Sequence, residues 1–195
     1  MDTLLSIDTA VFFFINGTLS NPVMDLLWPV ITDYDKFLVT RIILVGIWIW
    51  LVWKGGRNGR TVAVLLIPLI FISDQLNSSF LKELFGRPRP CHVLDGVHLL
   101  VHCGSGKSFP SSHAVNNVAI ATLFAAYFPR GKWWFFSAAA VIALSRVGVG
   151  VHYPLDLIAG GFVGFSVASL LIVLWSWIER YVSKKRNQKS LQPQP

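Results

Sequence analysis

Long apolar stretches separated by short polar turns dominate the chain. Five of them, over 37–53, 61–81, 113–128, 133–149 and 155–178, approach the roughly 17 to 25 residues that a helix needs to cross about 30 Å of hydrocarbon. Only internally hydrogen-bonded backbone survives there, so each is expected to be helical. The third is short, which suits a start within a polar cavity of the protein. The stretches 4–15 and 23–31 are apolar but too short to cross, and Asn16, Gly17, Asn21 and Pro22 separate them. They are expected to be helices at the outer interface, with a sixth span built from part of this region as the alternative.

The expected fold class is therefore all-α, a polytopic membrane helical bundle of five to six transmembrane helices. Its parts would be interfacial helices over 1–36, a transmembrane core over 37–181 and a polar cytoplasmic tail over 182–195. The tail from Lys184 to Pro195 is expected to be disordered or to lie on the lipid surface. No secretory signal peptide is expected, because Asp2 and Asp8 stand where a leader would be basic.

Composition strengthens this reading. The chain is 53% hydrophobic and 14% charged, whereas soluble domains carry about 25% charged residues. Its net charge of +7 does not point to nucleic acid, because the basic residues lie in short loops and near the C-terminus rather than along one polar face. Short cytoplasmic loops retain positive charge. With five spans and the N-terminus outside, the inner side gathers Lys54, Arg57, Arg60, Arg130, Lys132, Arg180, Lys184, Lys185, Arg186 and Lys189.

In that orientation three polar clusters fall on the outer face. The first runs from Lys82 through Arg89 to Pro90, at the end of the second span. The second is Pro110-Ser111-Ser112-His113, at the start of the third. The third is Ser145-Arg146 with His152 and Asp156, around the turn between the fourth and fifth. A partly buried phosphate needs several fixed cations, and Lys82, Arg89 and Arg146 can supply them. Ser111 or Ser112 can cap a helix whose first free N–H groups bind anions. His152 and Asp156, four apart, can pair so that the carboxylate fixes the imidazole tautomer and frees the other nitrogen to attack. His113 could protonate a departing oxygen and then activate water. Taken singly, each His could be an interfacial side chain satisfied by water, and each cation a contact to lipid headgroups.

Asp74, Ser78 and Lys82 repeat at helical spacing, with Asn77 beside them. Charged groups inside membranes face the bundle interior, so Asp74 is expected to brace Lys82 rather than act directly, and Ser145 to support the site from behind. The outer loop also holds Cys91, His92, His98, His102 and Cys103. A disulfide stiffening the loop that carries Arg89 is the simplest reading, with free thiols or a metal site as alternatives; the spacing fits no paired-cysteine zinc pattern.

Together the three clusters resemble the signature of the type 2 phosphatidic acid phosphatase superfamily: Lys-x6-Arg-Pro, Pro-Ser-Gly-His and Ser-Arg-x5-His-x3-Asp. Here these are Lys82 to Arg89-Pro90, Pro110 to His113, and Ser145-Arg146 to His152 and Asp156. Every spacing agrees, and only Ser112 departs, where the family has glycine. The resemblance implies a helical core, no metal and no cofactor, and His152 as nucleophile. It implies His113 as acid and then base, Asp156 orienting His152, and phosphate held by Lys82, Arg89, Ser111, Arg146 and the amides near Ser112 and His113. The implied partners are the bilayer and a lipid phosphate substrate. Small bacterial members of this layout resemble undecaprenyl diphosphate, phosphatidylglycerophosphate and lipid A phosphatases; an outward-facing site in the bacterial inner membrane favours the first by analogy of fold alone. Competing readings are a vanadium haloperoxidase, which resembles larger soluble proteins, and a lipid-binding or lipid-transporting protein, which would need no aligned nucleophile, carboxylate and acid.

Overall fold

The computed structural model describes residues 2–190, all of whose regular elements are helices. At the N-terminus α1 (Asp2–Phe13) runs into a π-helical turn at Phe14–Thr18, and α2 (Pro22–Thr32) leaves at an angle of 115°. Asn21 makes the new start: its side-chain oxygen accepts the N–H groups of Val23 and Met24, both at 3.1 Å, and Pro22 supplies a φ already suited to a helix. A 3-10 turn at Tyr34–Lys36 leads to α3 (Leu38–Lys54) and α4 (Gly56–Gln75). A second π-helical turn, Leu76–Leu81, joins α4 to α5 (Lys82–Phe85), which Gly86 ends in the left-handed conformation at φ 60°. After α6 (Pro90–Val93) in the outer loop come α7 (Ser112–Tyr127), α8 (Lys132–Gly148) and α9 (Pro154–Ser190).

By length and composition, Gly56–Val93 and Pro154–Gln188 are long and apolar enough to cross a bilayer, and the bent pair of α1 and α2 adds a third if counted as one span. α3, α7 and α8 have 17, 16 and 17 residues. α9 continues through Lys184 to Ser190, so the polar run there extends the helix; residues 191–195 of the expected tail lie outside the described residues.

α7 is the centre of the bundle, packed on α4, α8 and α9. Its approach to α9 is close because Gly160 and Gly164 replace side chains with backbone: a Cβ on Gly160 would stand 2.8 Å from the Ser111 carbonyl, and one on Gly164 would collide with that of Val115. Small residues four apart are the standard means of such contact between helices in membranes. Around this seam Leu51, Val62, Leu65, Leu69, Ala119, Leu123 and Ala168 form the core. Phe12, Val147 and Tyr153 form another cluster that fastens α1 to the end carrying His152. The faces left over are apolar; along α3, Leu38, Val39, Ile42 and Trp53 are all exposed. Such a surface suits hydrocarbon rather than water.

The two ends of the bundle differ chemically. At one, Arg57 pairs with Glu179 at 3.5 Å and Asn58 donates to the Tyr127 carbonyl at 3.0 Å, so the α3–α4 turn, the end of α7 and the basic end of α9 converge. The three motif clusters lie at the other.

Candidate active site

His152 sits in the turn between α8 and α9, held by the backbone of Arg146, whose carbonyl accepts the N–H groups of Val151 at 3.1 Å and His152 at 3.3 Å. One turn into α9, Asp156 points back. Its Oδ2 lies 3.2 Å from His152 Nδ1 and accepts the Tyr153 N–H at 2.9 Å. A carboxylate only accepts, so Nδ1 carries the proton and Nε2 keeps its lone pair. Both side chains are buried, and burial pushes the His152 imidazole from the ordinary 6.5 down to about 4. The Asp156 hydrogen bond and charge oppose that shift, while Arg146 and Arg89 add to it.

The second cluster is joined to this one by backbone: the Ser111 N–H donates to the Asp156 carbonyl at 3.0 Å. Ser111 holds the N-cap position of α7, as its extended φ and ψ of −72° and 118° require, but its hydroxyl does not cap. That corrects the capping role expected of the two serines. Ser112 Oγ instead receives Asn77 Nδ2 at 2.8 Å, and Asn77 also donates to the Pro110 carbonyl at 3.3 Å. The first N–H groups of α7 therefore carry no side-chain cap, the condition for anion binding at a helix N-terminus. The Ser111 hydroxyl and Arg146 Nε are buried with no hydrogen-bond partner among the described residues.

His113 donates Nε2–H to the Thr32 carbonyl at 3.2 Å, since a carbonyl only accepts, which leaves Nδ1 as its other nitrogen. Thr32 also takes Arg146 Nη1 on its hydroxyl at 2.7 Å. One buried residue of α2 thus positions both a candidate acid and a candidate phosphate ligand. Arg89 is held by the outer loop, donating to the carbonyls of Cys103 at 2.5 Å and Gly106 at 3.1 Å. Cys91 and Cys103 are disulfide-bonded with Cα atoms 6.2 Å apart, so the loop cysteines are not thiolate ligands. His98, expected in the same loop cluster, pairs with Asp25 at 3.1 Å. The charges of Arg89 and Arg146 are both felt at Lys82 and at His152, which places the three cations around one centre.

Two further candidates, Asp74 and Ser145, stand behind these residues. Asp74 accepts the Ser78 hydroxyl at 3.4 Å; it makes no ion pair with Lys82 among the described residues, but its charge is felt there across the π-helical turn. Ser145 turns back on its own helix, donating to the Ile142 carbonyl at 2.7 Å.

A family model described as the PAP2 superfamily matches residues 61–180, more than half of the chain. The chain belongs to the PAP2 superfamily. It is accordingly an enzyme, a phosphatase. It is 29% identical over 174 residues to the lipid A 4'-phosphatase of Porphyromonas gingivalis, covering 86% of this chain and 72% of that one. It is 27% identical over 158 residues to undecaprenyl-diphosphatase BcrC of Bacillus subtilis, covering 77% and 78%. The crystal structure of Aquifex aeolicus LpxE shares the fold, with a TM-score of 0.71 and 24% identity over 85% of this chain and 94% of that one.

Several residues of this PAP2 site escaped the sequence reading. Arg87, two positions before Arg89, donates to Asp156 Oδ1 at 2.8 Å and to Asp8 Oδ2 at 2.7 Å while its guanidinium lies 3.8 Å from the centre of the Tyr153 ring. Asp8 in turn accepts the Leu155 N–H at 2.9 Å. Asn16 ties the first π-helical turn to the His98 and Gly148 carbonyls at 2.8 and 2.9 Å. Asp8, Asn16 and Thr32 all precede the residues that the family model matches, yet all reach the site's end of the bundle. Asn77, by contrast, already stood out in the sequence beside the face of Asp74, Ser78 and Lys82.

Proposed function

We propose that this phosphatase hydrolyses a lipid phosphate or diphosphate, with undecaprenyl diphosphate to undecaprenyl phosphate and phosphate as the best fit, through a phosphohistidine. The observation that carries this is the buried His152–Asp156 pair at 3.2 Å, set among Lys82, Arg89 and Arg146. His152 Nε2 forms a bond to phosphorus as the bond from phosphorus to the lipid-side oxygen breaks, and His113 gives that oxygen a proton. Water then attacks phosphorus, His113 takes its proton, the P–N bond breaks and phosphate leaves. Lys82, Arg89, Arg146, Ser111 and the first amides of α7 hold the charge that develops; the Ser111 hydroxyl and Arg146 Nε, without a partner among the described residues, support this. These steps call on no metal or cofactor. The names of the B. subtilis and P. gingivalis relatives support a lipid substrate. Lipid A phosphate is the second reading, favoured by the longer match to the P. gingivalis protein.

The setting that goes with this chemistry is the bacterial cytoplasmic membrane, crossed five or six times, with the site on the extracytoplasmic side. A disulfide beside the site and basic residues gathered at the opposite end support that orientation. The test is phosphate release in detergent and EDTA from undecaprenyl diphosphate, phosphatidylglycerophosphate, phosphatidic acid and lipid A, with His152→Ala as control. Selective release that the variant lacks supports the reading and names the substrate. Release by folded His152→Ala removes the phosphohistidine, and no release from any lipid removes the lipid phosphatase.

A further inference from the structure

Two apolar cavities lie near the site, and the helix faces they share with it differ. One, of about 510 Å³, lies between α3, α4, α7 and α8. On three of these helices a site residue stands one turn from a cavity residue: Asp74 and Ile70 on α4, His113 and Asn117 on α7, Arg146 and Ile142 on α8. A spacing of four puts each pair on one helix face. At the end nearest His113, the Tyr34 hydroxyl donates to Asn117 Oδ1 at 3.0 Å, while Asn117 Nδ2 donates to the His113 carbonyl at 2.9 Å. Further along α7 the wall continues as Ile120 and Phe124, so the polar pair forms a collar between the charged site and an apolar interior.

The other cavity, of about 610 Å³, is lined from α1, α9 and the segments around Leu81 and Phe109, and includes no residue of α7. In-line displacement decides between them. If His152 attacks phosphorus, the lipid oxygen departs from the opposite side, where His113 must meet it. What stays attached to that oxygen, the chain itself or a second phosphate and then the chain, continues along the α7 face that carries His113.

We propose that the cavity between α3, α4, α7 and α8 seats the first part of the hydrocarbon chain of the leaving lipid, with Tyr34 and Asn117 marking the boundary between headgroup and chain. This rests on the assignment of His113 as the acid. The volume falls in the range of about 300 to 1,000 Å³ usual for small-ligand sites. Its α3 and α4 walls include the exposed Ile47 and Ile70, so the rest of a long chain runs out into the bilayer.

The test uses the full chain in detergent, with undecaprenyl diphosphate and isopentenyl diphosphate as long- and short-chain substrates, and the variants Ile142→Trp and Ile120→Trp. Filling the cavity should lower kcat/KM for the long substrate by about tenfold or more and change that for the short one by less than about twofold, since apolar contacts discriminate on that scale. Retained short-chain activity shows that the variant is folded. Undiminished long-chain activity in both variants overturns the proposal. Photolabelling the unaltered protein with a lipid phosphate bearing a diazirine near its headgroup is independent of folding: label on α7 or α8 supports the assignment, and label on Ile158 or Phe162 overturns it. Should neither diphosphate be hydrolysed by the unaltered protein, the diphosphate substrate fails, and the position of the label still decides the cavity.

Discussion

Arg87 and Asp156 form the tie that connects the N-terminal helix to His152. The 2.8 Å bond to Asp156 Oδ1 leaves Oδ2 for His152, and the second arm of the same guanidinium reaches Asp8 at 2.7 Å. A planar fork can hold two carboxylates at fixed angles where an ammonium cannot. Asp156 is thus oriented from two sides, and α1 is part of the catalytic fold rather than an appendage.

This gives Arg87 a positioning role with a distinctive kinetic signature. Arg87→Lys should lower kcat about 10- to 100-fold, less than the ~10⁴-fold that follows loss of the correct tautomer in a triad. KM should change little, because Arg87 is engaged by Asp8 and Asp156 rather than by phosphate. Asp8→Asn should show a weaker form of the same pattern. A rise in KM with kcat intact would place Arg87 among the phosphate ligands instead.

Burial of His152 sets a second expectation. Its imidazole should remain neutral until the pH falls to about 4, well below the ordinary 6.5. The unfolded chain binds this proton first, so the contribution to stability is complete above 6.5 and is lost as the pH drops from 6.5 toward about 4. NMR titration of histidine-labelled protein, assigned by the signal missing from His152→Gln, measures this without interference from substrate ionisation. A midpoint near 6.5 would contradict the buried neutral form.

The motif residues were legible in the sequence because their chemistry constrains both type and spacing: a phosphate site needs several cations, and a carboxylate four residues after a histidine can orient it. Arg87, Asp8 and Thr32 were not. Each looks ordinary where it stands, and each matters through a partner far along the chain, Asp156 for Arg87, Leu155 for Asp8 and Arg146 for Thr32. The register between Asp74 and Lys82 was hidden for another reason. Apolar periodicity does not distinguish an α-helix from one interrupted by a π-helical turn, so the register across 76–81 could not be read. The helical class followed directly from the apolar stretches; the contact of α1 and α2 with the site through the buried Asp8, Phe12 and Thr32 did not, because short apolar helices look the same at an interface and in a bundle.

The α7–α9 seam should tolerate substitution at one glycine and not at its neighbour three positions on. A Cβ at Gly161 would meet only Val118 Cγ2, at the ordinary distance of 3.7 Å, whereas one at Gly164 would strike the Val115 carbonyl and approach the Ala119 nitrogen at 3.0 Å. Gly161→Ala should therefore leave melting and activity unchanged. Gly164→Ala should separate the helices at a cost of about 1 to 3 kcal/mol, the usual range for overpacking. Thermal unfolding followed by size-exclusion fluorescence compares the two, and equal stability would show that the helices do not approach so closely.

The disulfide should act on substrate binding more than on chemistry. It closes the loop whose Cys103 and Gly106 carbonyls hold Arg89, while His152, Asp156 and His113 are held by other parts of the fold. Replacing both cysteines by serine, or reducing them, frees that loop and lets Arg89 leave the position in which those carbonyls hold it. KM should rise by about three- to tenfold with kcat nearly constant, the pattern of lost uniform binding. Stability should fall by about 3 kcal/mol, as expected for opening a short disulfide loop. Steady-state kinetics with and without reductant separate the two effects. An equal loss in kcat would mean that the loop also shapes the transition state, and unchanged kinetics would remove Arg89 from the phosphate site.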